Sequence, residues 1–408
     1  MTEAPALQSG YVLKDIMEKY YFQVAAAPYQ GQPVGWITAG GPVELLYAMD
    51  ILPYYPENHS ALCGARKVAV DLCQVAEGIG YSLDVCAYAR CDFGYIHGGK
   101  SPLGFLTPPT FVIGTNNQCG TVTKWYEVLS RHFKVPFIMI DAPFVRDEFA
   151  PERDGDWAID YVEEQLWDAV RKLEEITGRT LSQEKLTETV LLSRRTSDLW
   201  SKALHLAANR PSPWTAFDQF YHMSAIVTLR GHQQSVDYYE KLVAELEERV
   251  EKGIGAVADE EYRLLFDNIP PWYKIRDLSR KFASLGACVV ASPYTNAWVH
   301  CVDTAKSPMR ALAENYLASY PNRSIRYKAQ LAMDFIKEFQ VDGFVLHSAR
   351  SCKPFSLMQN GVIRIIEQEL GVPCTMIDGD IVDSRFYSDA QVMTRIEAFL
   401  ETLAARKG

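Results

Sequence analysis

Three cysteines lie in polar turns where a helix is predicted to begin. Cys352 follows the apolar run 341–347, which is typical of a buried strand, and precedes residues with helical spacing at 355–367. Cys86 and Cys119 lie in similar turns after apolar runs. Free N–H groups and partial positive charge at a helix N-terminus favour a thiolate. Each cysteine is therefore a candidate thiolate at the sheet edge where open α/β folds place their ligands.

The spacing of these cysteines limits the metal chemistry that is open to them. No Cys-x-x-Cys pair occurs, so the sequence contains neither a zinc ribbon nor a ferredoxin-type run. If Cys86, Cys119 and Cys352 converge, three thiolates suit an iron–sulfur cluster better than structural zinc, which takes four ligands. The fourth iron would then lack a protein ligand and be free to act as a Lewis acid. The alternative is three unrelated loop thiols.

The remaining cysteines have no such context. Cys288 and Cys374 lie inside apolar strand runs and are most simply small buried hydrophobic residues. The same interpretation applies to Cys63, Cys73, Cys91 and Cys301. Disulfides are poor candidates in a chain without an export signal.

The length, composition and net charge of the chain are typical of a globular protein. The 408 residues are enough for two or three domains, and 48% of them are hydrophobic. With 51 acidic and 41 basic residues the formal charge is −10, which argues against a nucleic-acid partner. Residues 1–6 lack the basic start and apolar stretch of a signal peptide, and no run approaches the length of a membrane span. We therefore expect a cytoplasmic protein with no membrane or nucleic-acid partner.

The alternation of strand and helix patterns predicts an α/β fold. Strand, helix, strand order near each end of the chain implies parallel sheets, whereas the middle shows consecutive helix patterns. We predict two parallel-sheet units, Rossmann- or flavodoxin-like, that flank a helical region. The predicted domains are an N-terminal helix plus first α/β domain at 1–155, a helical domain at 156–258 and a second α/β domain at 259–408.

Glu57 is a further candidate for chemistry. It is the carboxylate of the segment 54–59, where its neighbours include two tyrosines. From composition alone, the simplest interpretation is a solvated acid in a loop.

Several motifs together resemble those of one family. In chain order they are Tyr55-Pro56-Glu57-Asn58, Asp84-Val85-Cys86-Ala87-Tyr88-Ala89-Arg90, Asn116-Asn117-Gln118-Cys119, Lys124-Trp125-Tyr126-Glu127, Arg350-Ser351-Cys352-Lys353 and Asp378-Gly379-Asp380. In this combination the chain resembles the 2-hydroxyacyl-CoA dehydratase and benzoyl-CoA reductase family. The resemblance runs from about Val34 to near the C-terminus.

The resemblance implies the catalytic subunit of an oxygen-sensitive heterodimer whose paralogous subunits each hold one [4Fe-4S] cluster. A separate ATP-hydrolysing iron–sulfur activator delivers a single electron. The family's cluster ligands fall on Cys86, Cys119 and Cys352 of this sequence. The glutamate of the family's Tyr-Pro-Glu-Asn segment falls on Glu57, which becomes a candidate for proton transfer or hydroxyl binding.

The implied reaction removes water from an (R)-2-hydroxyacyl-CoA and gives an enoyl-CoA. The β-hydrogen of such a thioester is too weakly acidic for an ordinary base. One-electron reduction of the carbonyl to a ketyl lets the hydroxyl group leave, and the resulting radical is far more acidic at the β-carbon. The cofactor therefore supplies the difficult step.

The first strand departs from the dehydratase pattern. Several dehydratase relatives have a serine after its tryptophan, whereas this chain has Trp36-Ile37-Thr38, so Thr38 is the candidate catalytic hydroxyl. Four further residues are predicted to bind substrate, namely Trp36, Arg90, Asn117 and Ser351.

Two alternatives remain open. A subunit of ATP-dependent benzoyl-CoA reductase uses the same cluster and activator on a substrate with no hydroxyl group. A protein of another class, a non-catalytic CoA-ester-binding or structural partner subunit, would need no cluster. The motifs at Arg90 and Asp378-Gly379-Asp380 favour the dehydratase.

Overall fold

Parallel strands form two four-stranded sheets in the computed structural model, which describes residues 6–146 and 156–407. The first sheet has the order β2-β1-β3-β4 and contains β1 (Val34–Ile37), β2 (Leu52–Tyr54), β3 (Phe111–Thr115) and β4 (Phe137–Ile140). The second has the order β6-β5-β7-β8 and contains β5 (Tyr262–Asp267), β6 (Ala287–Ala291), β7 (Gly343–Ala349) and β8 (Cys374–Gly379). The same strand order occurs twice, and the predicted α/β class with two parallel sheets is confirmed.

Helices cover the sheets and fill the segment between them. The first unit contains α1 (Ser9–Ala26), α2 (Val43–Ala48), α3 (Pro56–Ala65), α4 (Ala69–Gly78), α5 (Ala87–Ile96) and α6 (Gly120–Phe133). The middle contains α7 (Trp157–Thr177), α8 (Gln183–His205), α9 (Ala216–His222), α10 (Ser224–Leu229) and α11 (Gln233–Glu251). The last part contains α12 (Ile275–Ser284), α13 (Pro293–Asn296), α14 (Pro308–Leu317), α15 (Ile325–Glu338), α16 (Lys353–Ser356), α17 (Gln359–Leu370) and α18 (Asp389–Lys407). None of the helices that the structure describes combines the length and apolar character needed to cross a membrane.

Local sequence accounts for these elements. Strands β1, β3, β5 and β6 are buried along their whole length, as parallel strands with helices on both faces must be. The Ser182 hydroxyl accepts a hydrogen bond from the N–H of Lys185 at the start of α8. Thr215 and Asp218 form a capping box at the start of α9.

A few elements differ from the predicted ones. The predicted helix 355–367 consists of α16 and α17, which are separated at Leu357 and Met358. In the region of consecutive helix patterns, residues 213–229 contain two separate short helices, α9 and α10. Strand β2 was not predicted because it has three residues, including Pro53, and is too short to show a pattern.

The division into three domains stays a prediction. Its boundary at 155/156 adjoins residues 147–155, which lie outside the described residues, as do residues 1–5 of the segment used to judge a signal peptide. The described residues between β4 and β5 contain helices but no strand. Helix α14 packs against α7, so the helical region and the second α/β unit share an interface.

A buried ion pair joins the first sheet to the helical region. Arg230, just after α10, and Glu44, in α2, are both fully buried, with 3.5 Å between Nε and Oε1. Glu44 also accepts hydrogen bonds from Ser193 Oγ at 2.7 Å and Tyr316 OH at 2.5 Å, and Arg230 donates to the Gly41 carbonyl at 2.5 Å. Loss of one partner from such a pair costs about 3–5 kcal/mol. The network therefore fixes the loop after β1 against the helical region.

Candidate active site

Each of the three candidate cysteines is the N-cap residue of a helix. Cys86 precedes α5, Cys119 precedes α6 and Cys352 precedes α16. Cys119 and Cys352 follow β3 and β7, which hold the same place in the two sheets, so these two residues occupy matching positions. Cys86 follows the loop after α4 and therefore does not lie at the end of a strand.

The three sulfur atoms lie close enough to affect one another's ionisation. Burial first, and then the charge of Cys119, raises the pKa of Cys86 to about 12. Burial, followed by the charges of Cys86 and Cys119, raises the pKa of Cys352. Burial raises the pKa of Cys119 as well, while N–H groups of Val122 and Thr121 that donate to it act in the opposite direction. The thiols therefore keep their protons unless a cation replaces them.

Ser351 joins the loops that carry Cys86 and Cys352. Its hydroxyl accepts a hydrogen bond from the N–H of Ala87 at 3.0 Å, and its own N–H donates to Asp380 Oδ2 at 2.9 Å. All three partners are buried. The serine predicted to bind substrate thus holds two cysteine-bearing loops together.

Arg90 is buried under the loop of Cys86. Its Nε donates to the Val85 carbonyl at 3.0 Å, and its Nη1 pairs with Glu77 at 2.5 Å and with Asp383 at 3.0 Å. These contacts anchor the Cys86 loop to α4 and to the segment after β8. Because they hold Arg90 within the protein, its contact with substrate stays a prediction.

Glu57 is buried in the first turn of α3, so its interpretation as a solvated loop acid is wrong. Its Oε1 accepts a hydrogen bond from the N–H of Ala39 at 3.1 Å, and its Oε2 accepts one from Tyr126 OH at 2.5 Å. Burial raises its pKa to about 7, although both hydrogen bonds act against the rise. The charge of Glu57 in turn acts on Cys119. The carboxyl group thus lies beside the cysteine site and exchanges its proton near neutral pH.

Thr38 belongs to a chain of buried hydrogen bonds. Its Oγ1 lies 3.0 Å from Thr115 Oγ1, which donates to Asn117 Oδ1 at 2.7 Å. Asn117 Nδ2 donates to the carbonyls of Gly40 at 3.2 Å and Tyr316 at 2.9 Å. Because the Thr115 proton is used toward Asn117, Thr38 donates to Thr115 and keeps its lone pairs free. Thr38 therefore has an unused acceptor, but its side chain is fully buried, and its contact with a substrate hydroxyl stays a prediction.

Trp36 lies in the core of the first sheet. Its side chain is 1% exposed, packs against Tyr54 and Phe133, and donates its indole N–H to the Thr107 carbonyl at 3.0 Å. These contacts do not support the predicted role of Trp36 in substrate binding, which stays a prediction.

Residues 38–403 match the family described as 2-hydroxyglutaryl-CoA dehydratase, D-component. The chain belongs to this family. The match includes every predicted site residue except Trp36.

Several curated relatives match the chain over nearly its whole length. It is 34% identical to the (R)-2-hydroxyisocaproyl-CoA dehydratase alpha subunit of Clostridioides difficile, with 98% of this chain and 97% of the relative covered. It is 33% identical to the (R)-phenyllactyl-CoA dehydratase alpha subunit of Clostridium sporogenes, with 99% and 98% covered. It is 29% identical to a benzoyl-CoA reductase subunit of Thauera aromatica, with 97% and 94% covered. The two branches expected from the motifs are therefore both represented among the relatives of this chain.

Two residues that were not predicted as site residues lie near the cysteines. Tyr294 lies near enough to Cys352 and Glu57 for both charges to raise its pKa, after burial. Lys328 is buried, and its burial lowers its pKa to about 8, while Asp267 and Cys352 act in the opposite direction. Sequence spacing gave no signal for either residue, because each lies on a helix that begins at none of the three cysteines.

The raised pKa of Glu57 predicts a pH dependence of stability. The folded chain holds the Glu57 proton up to about pH 7, whereas the unfolded chain releases it near 4.5. Stability from this proton is complete below pH 4.5 and is lost as the pH rises through 7, by roughly 3 kcal/mol in total. Urea unfolding of the wild type and of Glu57→Gln, compared across this range, should show a loss that is larger in the wild type by about this amount, since other buried carboxyl groups such as Asp267 titrate in both proteins. Parallel pH profiles would contradict the prediction, and Glu18→Gln, at an exposed site, is the control.

Proposed function

We propose that the chain is the catalytic subunit of a 2-hydroxyacyl-CoA dehydratase, a hydro-lyase that removes water from an (R)-2-hydroxyacyl-CoA and yields an enoyl-CoA. The observation that carries this proposal is the nearly full-length similarity to relatives named as alpha subunits of such dehydratases. The buried thiols and the carboxyl group of Glu57 supply the chemistry that the reaction needs.

Cys86, Cys119 and Cys352 would hold a [4Fe-4S] cluster. Within the described residues, no three side chains of His, Cys, Asp or Glu are placed to bind a single metal ion. A cluster takes each thiolate on a different iron, so its ligands need not meet at one point. An all-sulfur donor set with backbone N–H groups directed at the sulfurs fits it. When bound, the group supplies a single electron and an iron open to a substrate oxygen.

Glu57 would be the group that transfers a proton in the reaction. Its pKa of about 7 suits a group that accepts a proton from one carbon or oxygen atom and returns it to another. Tyr126 OH and the N–H of Ala39 hold the carboxyl group in one orientation. Thr38 would accept the hydrogen bond of the substrate 2-hydroxyl, because its own proton is committed to Thr115.

The proposed partners are an acyl-CoA substrate, a paralogous second subunit and an ATP-hydrolysing iron–sulfur activator. The relatives are themselves named as subunits, which supports a multi-subunit enzyme. A net charge of −10 disfavours a nucleic-acid partner. We place the protein in the cytoplasm because each of its nine cysteines is a free thiol.

Benzoyl-CoA reductase is the second candidate function. The similarity to a subunit of that enzyme and the isoleucine that follows Trp36 favour it. Thr38 offers a hydrogen-bond acceptor, and the aromatic ring of benzoyl-CoA has no hydroxyl group to donate to it. We therefore rank the dehydratase first.

The first test of the proposed function concerns the cluster. Cys119→Ala should lose most of the bound iron and sulfide of the anaerobically purified protein, because one of three thiolates is removed. Cys301→Ala, which changes an exposed cysteine, should keep both. Iron and sulfide analysis is the measurement. A wild type without iron would instead support the non-catalytic CoA-ester-binding class.

The second test concerns Glu57. In the complete enzyme with activator and ATP, Glu57→Gln should keep its iron while turnover falls by about two orders of magnitude or more, the usual contribution of a general acid or base. Glu18→Gln should retain wild-type turnover. Unchanged turnover in Glu57→Gln would remove this residue from the mechanism.

The third test separates the two branches. Thr38→Val should lower activity on a 2-hydroxyacyl-CoA by about 10- to 100-fold, since the substrate hydroxyl loses an acceptor worth about 1–3 kcal/mol. Thr38→Ser keeps the hydroxyl group and should retain most activity. The measurement is the ratio of activities on a 2-hydroxyacyl-CoA and on benzoyl-CoA. Wild-type activity on benzoyl-CoA alone would replace the dehydratase with the reductase.

A further inference from the structure

Lys328 places a buried cation beside Cys352. The residue lies in the first turns of α15 and is 4% exposed. Its Nζ has no hydrogen-bond partner among the residues that the structure describes. Burial of an ammonium group is costly unless a nearby negative charge favours it.

The surroundings of Lys328 direct its charge toward the cysteine site. Its Nζ lies 4.9 Å from the ring centre of Tyr320 and 5.5 Å from that of Phe355. The N–H of Phe355 donates to the Cys352 sulfur, so the cation lies against the ring of a residue whose backbone contacts that cysteine. The charges that favour the ammonium form are Asp267 first and Cys352 second.

Asp267 does not neutralise the lysine through a direct contact. No salt bridge joins them within the described residues, and Asp267 Oδ1 also has no hydrogen-bond partner there. Burial raises the pKa of this carboxyl group to about 6, so it holds its negative charge at a cost. Asp267 ends β5, at the carboxyl edge of the second sheet, and offsets the net charge of Lys328 without touching it. The ammonium hydrogens of Lys328 therefore have no acceptor within the described residues, and the cation can also favour a negative charge at Cys352.

We propose that Lys328 is a positioning residue that stabilises the added electron of the cluster held by Cys86, Cys119 and Cys352. This inference rests on the proposed function. One electron enters from the external reductant, no proton is transferred, and Lys328 keeps its charge throughout. Three thiolates and the added electron make the site anionic, and a fixed cation in a buried site favours that state without any motion.

The test is the reduction potential of the cluster in the anaerobic complex with its partner subunit. In Lys328→Met, which keeps the length of the side chain, the ratio of reduced to oxidised cluster at fixed potential should fall on the order of tenfold, since a buried unit charge has effects of this size. For one electron this corresponds to a midpoint about 59 mV lower. Lys328→Arg should stay near the wild type. Electron paramagnetic resonance during a redox titration gives the ratio, and the partner's cluster is an internal reference.

Lys353 provides the matched control. It follows Cys352 directly, but its side chain is exposed and its Nζ donates to the Arg350 carbonyl at 2.9 Å. Solvent screens its charge, so Lys353→Met should shift the midpoint much less than Lys328→Met. Equal shifts in the two variants would overturn the specific role of Lys328.

Failure of the inference is distinct from failure of the proposed function. A full complement of iron with an unmoved midpoint in Lys328→Met overturns the inference and leaves the proposed function intact. Absence of iron from the wild type overturns the proposed function. If Lys328→Met loses its iron, Lys328→Gln, which keeps a polar end, replaces it, and an unmoved midpoint there again overturns the inference.

Discussion

Burial of three thiol groups is the constraint on which the site depends. Away from water a thiolate is disfavoured, and burial is the main reason that the pKa values of Cys86, Cys119 and Cys352 are raised. Backbone N–H groups at helix starts replace part of the lost hydration. Such groups are free where a helix begins, and each of the three cysteines lies at the start of one. The positions of the helices relative to the strands are thus tied to the chemistry of the sulfur atoms.

The repeated strand order explains how two of these positions arise. Residues after the third strand of each sheet lie at a carboxyl edge next to the point where strand order reverses, and Cys119 and Cys352 both do so. Cys86 comes from a helical segment of the first unit and needs separate support. Ser351 supports the Cys86 loop by accepting a hydrogen bond from the N–H of Ala87. Arg90 supports it by donating a hydrogen bond to the Val85 carbonyl. Two equivalent edges and one braced loop therefore make the site.

Much of the fold follows from sequence pattern, whereas burial of single polar residues does not. The apolar run that contains Cys288 predicted a strand, which is β6, and the turn after the apolar run 341–347 predicted the helix start at which Cys352 lies. Glu57 looked like a loop acid because neighbouring composition does not reveal that Tyr126, far along the chain, closes over it. Lys328 gave no signal, since a lysine near the start of a helix is usually solvated and only tertiary packing decides otherwise. The sequence did not predict that the two sheets share one strand order, because the side chains of the two units differ.

Two buried cations in the chain show how structural and functional charges differ. Arg230 has an ion pair with Glu44 and further hydrogen bonds to Tyr316 OH and backbone carbonyls, so its charge is balanced within the protein. Lys328 has two aromatic rings and the electrostatic influence of Asp267 and Cys352, but no hydrogen bond of its own within the described residues. A charge whose contacts are complete stabilises the fold alone. Lys328 keeps ammonium hydrogens without an acceptor in the described part of the chain, so its charge is available to the cluster that we propose at Cys352, whereas the hydrogen bonds and ion pair of Arg230 lie within the fold.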